Sequence, residues 1–234
     1  MHTTKLILLK LFRKRDFITI GFIFLFAIFA ISLFYYILTP TRILPIYQPA
    51  EVNQKLVDTS IIHISKYHKI ADFSLTNQNG IEITQDFYNN KIYVADFFFT
   101  TCQDICPVMT KNMYKLQQKL KDDDEILFLS HTVIPEIDTV EKLKEYSIKN
   151  KINDERWNLV TGDKKQIYEL ARKSYLAVED AEYGKFDMIH TENFMLIDKE
   201  KQIRGFYDGT NPVEIENLLF CLLYTSDAAD ESRG

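Results

Sequence analysis

Cysteine is scarce in this chain, with three among 234 residues, at positions 102, 106 and 221. So few thiols rule out a small scaffold stapled by disulfides. A closed zinc site takes four ligands and would need a second cysteine pair, which does not exist here. Positive charge is not concentrated either: 28 Lys+Arg stand against 33 Asp+Glu, and no basic block lies beyond the first fifteen residues. A phosphate-binding stripe, and with it nucleic-acid binding, has no sequence basis. No internal repeat is visible. What remains, 46% hydrophobic with a pI near 5.6, suits one ordinary globular domain plus an appendage.

The appendage is one long apolar run. From Phe17 to Leu38 the sequence FITIGFIFLFAIFAISLFYYIL carries no charge, and at about 1.5 Å per residue such a helix crosses a hydrocarbon core of roughly 30 Å. A buried core helix and a cleaved signal peptide are the rival readings. All-round apolarity is unusual for a helix of a small soluble domain. The run also exceeds a signal peptide's apolar region of about 7–15 residues, and bulky Tyr35, Tyr36, Ile37 and Leu38 stand where a small-residue cleavage site belongs. One transmembrane helix over 17–38 is therefore expected. Lys5, Lys10, Arg13, Lys14 and Arg15 precede it and only Arg42 follows closely, so residues 1–16 are expected in the cytoplasm and the rest outside, with Tyr35 and Tyr36 in the interfacial belt. Without an Arg- and Ser-rich transit peptide, the natural reading is a bacterial membrane protein whose main domain faces the periplasm or the cell exterior. Disulfides persist there, so a working dithiol would have to be kept reduced.

Residues 39–69 hold Pro40, Pro45 and Pro49 and read as a tether. His63 and His68 fall in or near it and read as ordinary imidazoles outside the site. Phe73–Leu75 and Ile81–Ile83 flank the turn signal Asn77–Gly80 and predict a hairpin. Ile92–Phe99 is a continuously apolar strand of the kind covered on both faces. Met109, Met113, Leu116 and Leu120 then recur at helical spacing, a core stripe in which methionine fills gaps. Strands at 126–130 and 157–160 alternate with helices at 138–150 and 164–174. A closing hairpin, 194–198 with 203–207, precedes a helix from Pro212. The alternation predicts an α/β fold with a mainly parallel sheet covered by helices on both faces. Residues 220–234 shift abruptly in composition and read as an atypical tail, more like a translated read-through than the natural end of a domain, in which Cys221 has no role.

The chemistry concentrates in TTCQDICP, residues 100–107, where strand hands over to helix. Pro107 disfavours the α region for Cys106 and suits a first helical position, which puts Cys106 near the helix N-cap. There the unpaired N–H groups favour a thiolate at Cys106. Two thiolates are soft ligands, so the pair suits copper or reversible disulfide chemistry, and a third ligand separates the two. Of the five histidines, His190, in DMIHTEN before the strand at Phe194, is the best candidate. In a thioredoxin-like sheet that loop lies beside the redox cysteines, where a thiol oxidoreductase normally keeps a cis-proline. No proline occurs between Pro135 and Pro212. A histidine there would complete a site of two sulfurs and one nitrogen, and a merely structural imidazole is the alternative. His131, at a strand end, is the second contender. Asp104 could tune charge or contact a partner, though solvent exposure explains it as well.

The segments ADFFFTTCQDICPVMTKNM, LSHTVIPEIDTVEKLKEY, WNLVTGDKKQIYELA and IHTENFMLIDKEKQIRGFYDGT, in that order from about Ile70 to Leu219, resemble the Sco/SenC family of membrane-anchored copper chaperones. The resemblance implies a thioredoxin-like fold with an N-terminal hairpin and inserted elements over 70–219. It implies one copper ion held by Cys102 and Cys106, matching the family's C-x-x-x-C-P, and by His190, matching its H-[ST]-x-x-F. The implied role is delivery of copper, received from an upstream donor, to the dinuclear copper centre of cytochrome c oxidase subunit II. The alternative is a membrane-anchored thiol–disulfide oxidoreductase that reduces the cysteines of that or another exported protein, with Cys102 and Cys106 as the catalytic redox pair. Peroxide scavenging is a weaker third. One departure stands out: Ile134-Pro135 replaces the family's usual D-P, which removes an acidic residue from that place.

Overall fold

The computed structural model describes residues 17, 19–35, 44–53, 57–177 and 191–231. The chain divides into two units, Met1–Ile43 and Leu44–Gly234. In the first, residues 19–35 are helical, and Phe22, Phe26 and Phe34 are all exposed. Among the described residues no helix is long and apolar enough to cross a membrane. The described stretch reaches about 26 Å, short of the roughly 30 Å core, and residues 36–38 of the expected span lie outside the described residues.

The second unit is built on a seven-stranded sheet. Its strands are β1 (Ser74–Asn77), β2 (Glu82–Thr84), β3 (Ile92–Phe98), β4 (Ile126–Thr132), β5 (Trp157–Thr161), β6 (Asn193–Ile197) and β7 (Ile203–Asp208). The helices are α1 (Ile105–Lys119), α2 (Val140–Asn150), α3 (Lys164–Glu169), which continues as a π-helical turn over Leu170–Ser174, and α4 (Pro212–Glu231). The spatial order is β2-β1-β5-β4-β3-β6-β7.

Only the centre of this sheet is parallel. β3 pairs parallel with β4 and β4 with β5, while β1–β2, β1–β5, β3–β6 and β6–β7 are antiparallel. The expected mainly parallel sheet is thus narrower than its alternating pattern implies. The physical reason lies in the connections: short turns join β1 to β2 and β6 to β7, and only antiparallel strands can be linked that way.

β3 is buried along its whole length, which accounts for a run that is apolar at every position but Asp96. Its side chains alternate between two cores. Ile92, Val94 and Phe98 join Cys106, Met109, Met113 and Leu116 of α1, Leu143 of α2, and Ile215, Leu218 and Leu222 of α4. Tyr93, Ala95 and Phe97 face the other side, against Ile167, Tyr168, Leu170 and Ala171. The Met109–Met113–Leu116–Leu120 stripe is buried, as core spacing predicts.

The described part of the stretch read as a tether, 44–53 and 57–69, packs on the domain, and its first residues, 44–47, meet β7. The Tyr47 N–H donates to the Ile203 carbonyl at 2.9 Å, and the Ile70 N–H to the Lys201 carbonyl at 2.9 Å. Arg204 of β7 donates to the carbonyls of Leu44 (2.5 Å) and Pro45 (3.0 Å) and pairs with Asp198 at 2.9 Å. An edge strand left bare would be a template for pairing with another chain, and residues 44–47 occupy the start of this one.

Candidate metal and redox site

The chain leaves β3 at Phe99 and enters α1 at Ile105, with Asp104 in the N-cap position. Cys106 and Pro107 therefore sit inside the first helical turn, two residues deeper than the proline predicts. That offset reverses the expected roles of the two sulfurs. The N–H groups of Asp104, Ile105 and Cys106, which the helix itself leaves unpaired, are directed at Cys102, and the Cys106 thiol also donates to it. Burial acts to raise the Cys102 pKa, but these hydrogen bonds together outweigh it, and the pKa is lowered. Cys106 points instead into the core beneath α1 and is 3% exposed. Burial pushes its thiol up to about 12, with the neighbouring Cys102 and Asp96 adding to the rise and a backbone hydrogen bond at Phe99 opposing it. The more exposed sulfur of the pair, and the one whose thiolate form the hydrogen bonds favour, is Cys102, and neither cysteine is in a disulfide.

Two buried carboxylates frame this loop, and neither was foreseen as part of the site. Asp96 of β3 is 2% exposed. Burial raises its pKa to about 7, against a hydrogen bond to Ser130. Its Oδ1 has no hydrogen-bond partner among the described residues. Ser130 in turn accepts the Trp157 Nε1–H at 2.8 Å. The sequence signal was available: a lone carboxylate in the apolar run IYVADFFF. Asp138, ahead of α2, is fully buried. It accepts from the Thr100 N–H at 3.1 Å and the Thr100 hydroxyl at 2.5 Å, and also from the Thr132 hydroxyl. It thereby joins the cysteine loop to the end of β4. No local pattern announces that contact, because the partners lie 38 residues apart.

The histidines separate clearly. His131 faces the other core, stacked on Phe97 with ring centroids 4.9 Å apart. It meets the Asp96 carbonyl at 3.4 Å, and burial lowers its pKa to about 3. The sheet stands between it and Cys106, so the second contender is not brought to the cysteines. His68 is buried and donates from Nε2 to the Ser174 carbonyl at 2.8 Å, and His63 is exposed. Asp104 is exposed as well, and Cys221 contacts the Tyr207 hydroxyl on α4's inner side.

His190 lies outside the described residues, which resume at Thr191. Thr191 is buried. It leads into β6, which runs antiparallel to β3 with Met195 opposite Ala95. The chain therefore re-enters at the end of the sheet from which the cysteine loop departs. The Gly209 N–H holds the Glu192 carbonyl at 2.7 Å, and the Asn112 side chain of α1 donates to the Gly209 carbonyl at 2.8 Å. A Cβ on Gly209 would meet Phe194 at 2.9 Å, so that close approach needs glycine. Among the described residues no three His, Cys, Asp or Glu side chains gather to hold a metal ion. The two sulfurs alone form a soft, two-donor site that needs a further ligand.

This α/β domain, with a cysteine pair between its central strand and the following helix, has the thioredoxin-like fold of the Sco structures it matches. Residues 63–218 match the SCO1/SenC family profile, and the chain belongs to that family. Among curated proteins it is 29% identical over 154 residues to the SCO1 protein homolog of Bacillus subtilis, covering 65% of this chain and 80% of that one. It is 32% identical over 153 residues to a SCO2-like protein of Rickettsia typhi, covering 63% and 74%. Among solved structures, a SCO1/SenC family lipoprotein from Bacillus anthracis superposes with a TM-score of 0.61 at 31% identity, over 68% of this chain and 95% of that one. BsSco, described as a member of the Sco family of cytochrome c oxidase assembly proteins and as carrying a disulfide switch, superposes with a TM-score of 0.60 at 28% identity, over 68% and 94%. The copper-bound ScoI of Bradyrhizobium japonicum shares the fold, with a TM-score of 0.53 at 24% identity, over 67% and 99%.

Proposed function

We propose that this protein is a copper metallochaperone, carrying one copper ion between Cys102, Cys106 and His190 and passing it to the dinuclear copper centre of cytochrome c oxidase subunit II during oxidase assembly. An upstream donor loads it. The helix within 17–38 anchors it in the membrane, with the N-terminus in the cytoplasm and the main domain outside. The observation that carries the reading is the pair itself: two sulfurs in mutual contact, one accessible and held by three N–H groups, the other in the core. Both are soft donors suited to copper. Family membership and the re-entry of the chain at Thr191, one residue after His190, support the third ligand. An accessible Cys102 suits transfer, since an acceptor ligand must reach the ion before the carrier releases it.

Anaerobic copper titration of the reduced chain tests this. Uptake of about one copper is expected, with sharp losses in Cys102→Ala, Cys106→Ala and His190→Ala, and none after oxidation to the Cys102–Cys106 disulfide. A second reading, thiol–disulfide exchange on a partner, is favoured by the unequal thiols, because attack needs one thiolate and resolution needs a neighbour. Wild-type copper affinity in His190→Ala together with rapid disulfide reduction would move the assignment to that reading.

A further inference from the structure

The loop after β4 begins with Val133-Ile134-Pro135, and a carboxylate from it reaches the cysteine turn. Asp138 is fully buried. Its Oδ1 accepts the hydroxyl of Thr100, two residues before Cys102, at 2.5 Å, and its Oδ2 accepts both the Thr100 N–H at 3.1 Å and the Thr132 hydroxyl. Thr132 Oγ1 in turn accepts the Ile134 N–H at 3.1 Å. The loop between β3 and α1 has little else to fix its start: Thr101, Gln103 and Asp104 are exposed, the Cys102 N–H reaches the Phe99 carbonyl only at 3.3 Å, and the α1 N-cap has no side-chain hydrogen bond.

We infer that Asp138 is a positioning residue for the cysteine pair, holding the Thr100–Cys102 turn so that the Cys102 sulfur stays within reach of the Cys106 thiol. It touches neither sulfur. Its effect is on the effective concentration of one thiol at the other, which an anchored loop raises and a loose one lowers. This rests on the reading that Cys102 and Cys106 are the working pair, but not on copper.

The test is the dithiol–disulfide equilibrium of the full chain in a glutathione buffer without metal. Glutathione disulfide takes up the two electrons and two protons of the Cys102 and Cys106 thiols as their S–S bond forms, releasing two glutathione thiols. Asp138→Ala removes the whole anchor. Thr100→Val removes only its hydroxyl half and serves where the alanine variant fails to fold. Asp154→Asn is the control for a merely structural carboxylate: Asp154 is likewise held by several donors, Gln78 at 3.0 Å, Ser147 at 2.7 Å and Lys144, but away from the cysteines.

The expected result is a disulfide-to-dithiol ratio at least about threefold lower in Asp138→Ala and lowered by a smaller factor in Thr100→Val, with Asp154→Asn within about 1.5-fold of wild type. Wild-type ratios in the Asp138 and Thr100 variants, or an equal shift in Asp154→Asn, would overturn the inference. A chain that binds no copper but shows the expected ratios would sink the chaperone reading and leave this one standing.

Discussion

Asp96 and His131 sit back to back on neighbouring strands, and burial moves their pKa values in opposite directions. Asp96 rises from its ordinary 3.8 to about 7, so between those values the folded chain holds a proton the unfolded chain has released, and stability falls as pH rises. His131 drops from 6.5 to about 3, so below 6.5 the unfolded chain takes up a proton the folded one refuses, and stability falls as pH drops. From 3.8 to 6.5 the two slopes oppose each other. Asp96→Asn removes one of them, and urea unfolding of that variant should show stability climbing from pH 4 to 6.5 by at most about 4 kcal/mol, where wild type is flatter. An unchanged pH profile would mean that Asp96 is not a buried acid. Which cysteine has its thiolate form favoured was the least legible feature of the site: a proline places a helix start only within a residue or two, and that offset decides which sulfur collects the unpaired N–H groups.

The sheet's centre was legible because both-face burial writes apolar runs, broken only by Asp96 in Ile92–Phe98 and unbroken over 126–129 of β4. The hairpin at Asn77–Gly80 announced itself through its turn residues. The packing of residues 44–47 was not legible, because its hold on the domain runs through backbone groups that composition does not report: the Tyr47 N–H, the carbonyls of Leu44 and Pro45, and their partners on β7. Arg204→Ala cuts two of these contacts and leaves Asp198, itself 4% exposed, without its guanidinium. The expected loss is about 1–3 kcal/mol, with hydrogen exchange at the Tyr47 amide rising about tenfold or more while β3 amides stay protected. Equal acceleration in β3 would show that the segment is part of the central core and not a local attachment.

For the protein as a whole, the chemistry depends on topology. Strand β3 delivers two sulfurs at its end, and β6, paired antiparallel to it, brings the chain back at that same end with Thr191. The sequence spacing between Cys106 and His190 says nothing of this; only the hydrogen-bonded order of the strands does. X-ray absorption at the copper edge of the loaded chain is the most direct measurement. The account predicts two sulfur neighbours and one imidazole around copper in the wild type, with the imidazole signal gone in His190→Ala and one sulfur gone in Cys102→Ala. An imidazole that persists in His190→Ala would contradict it.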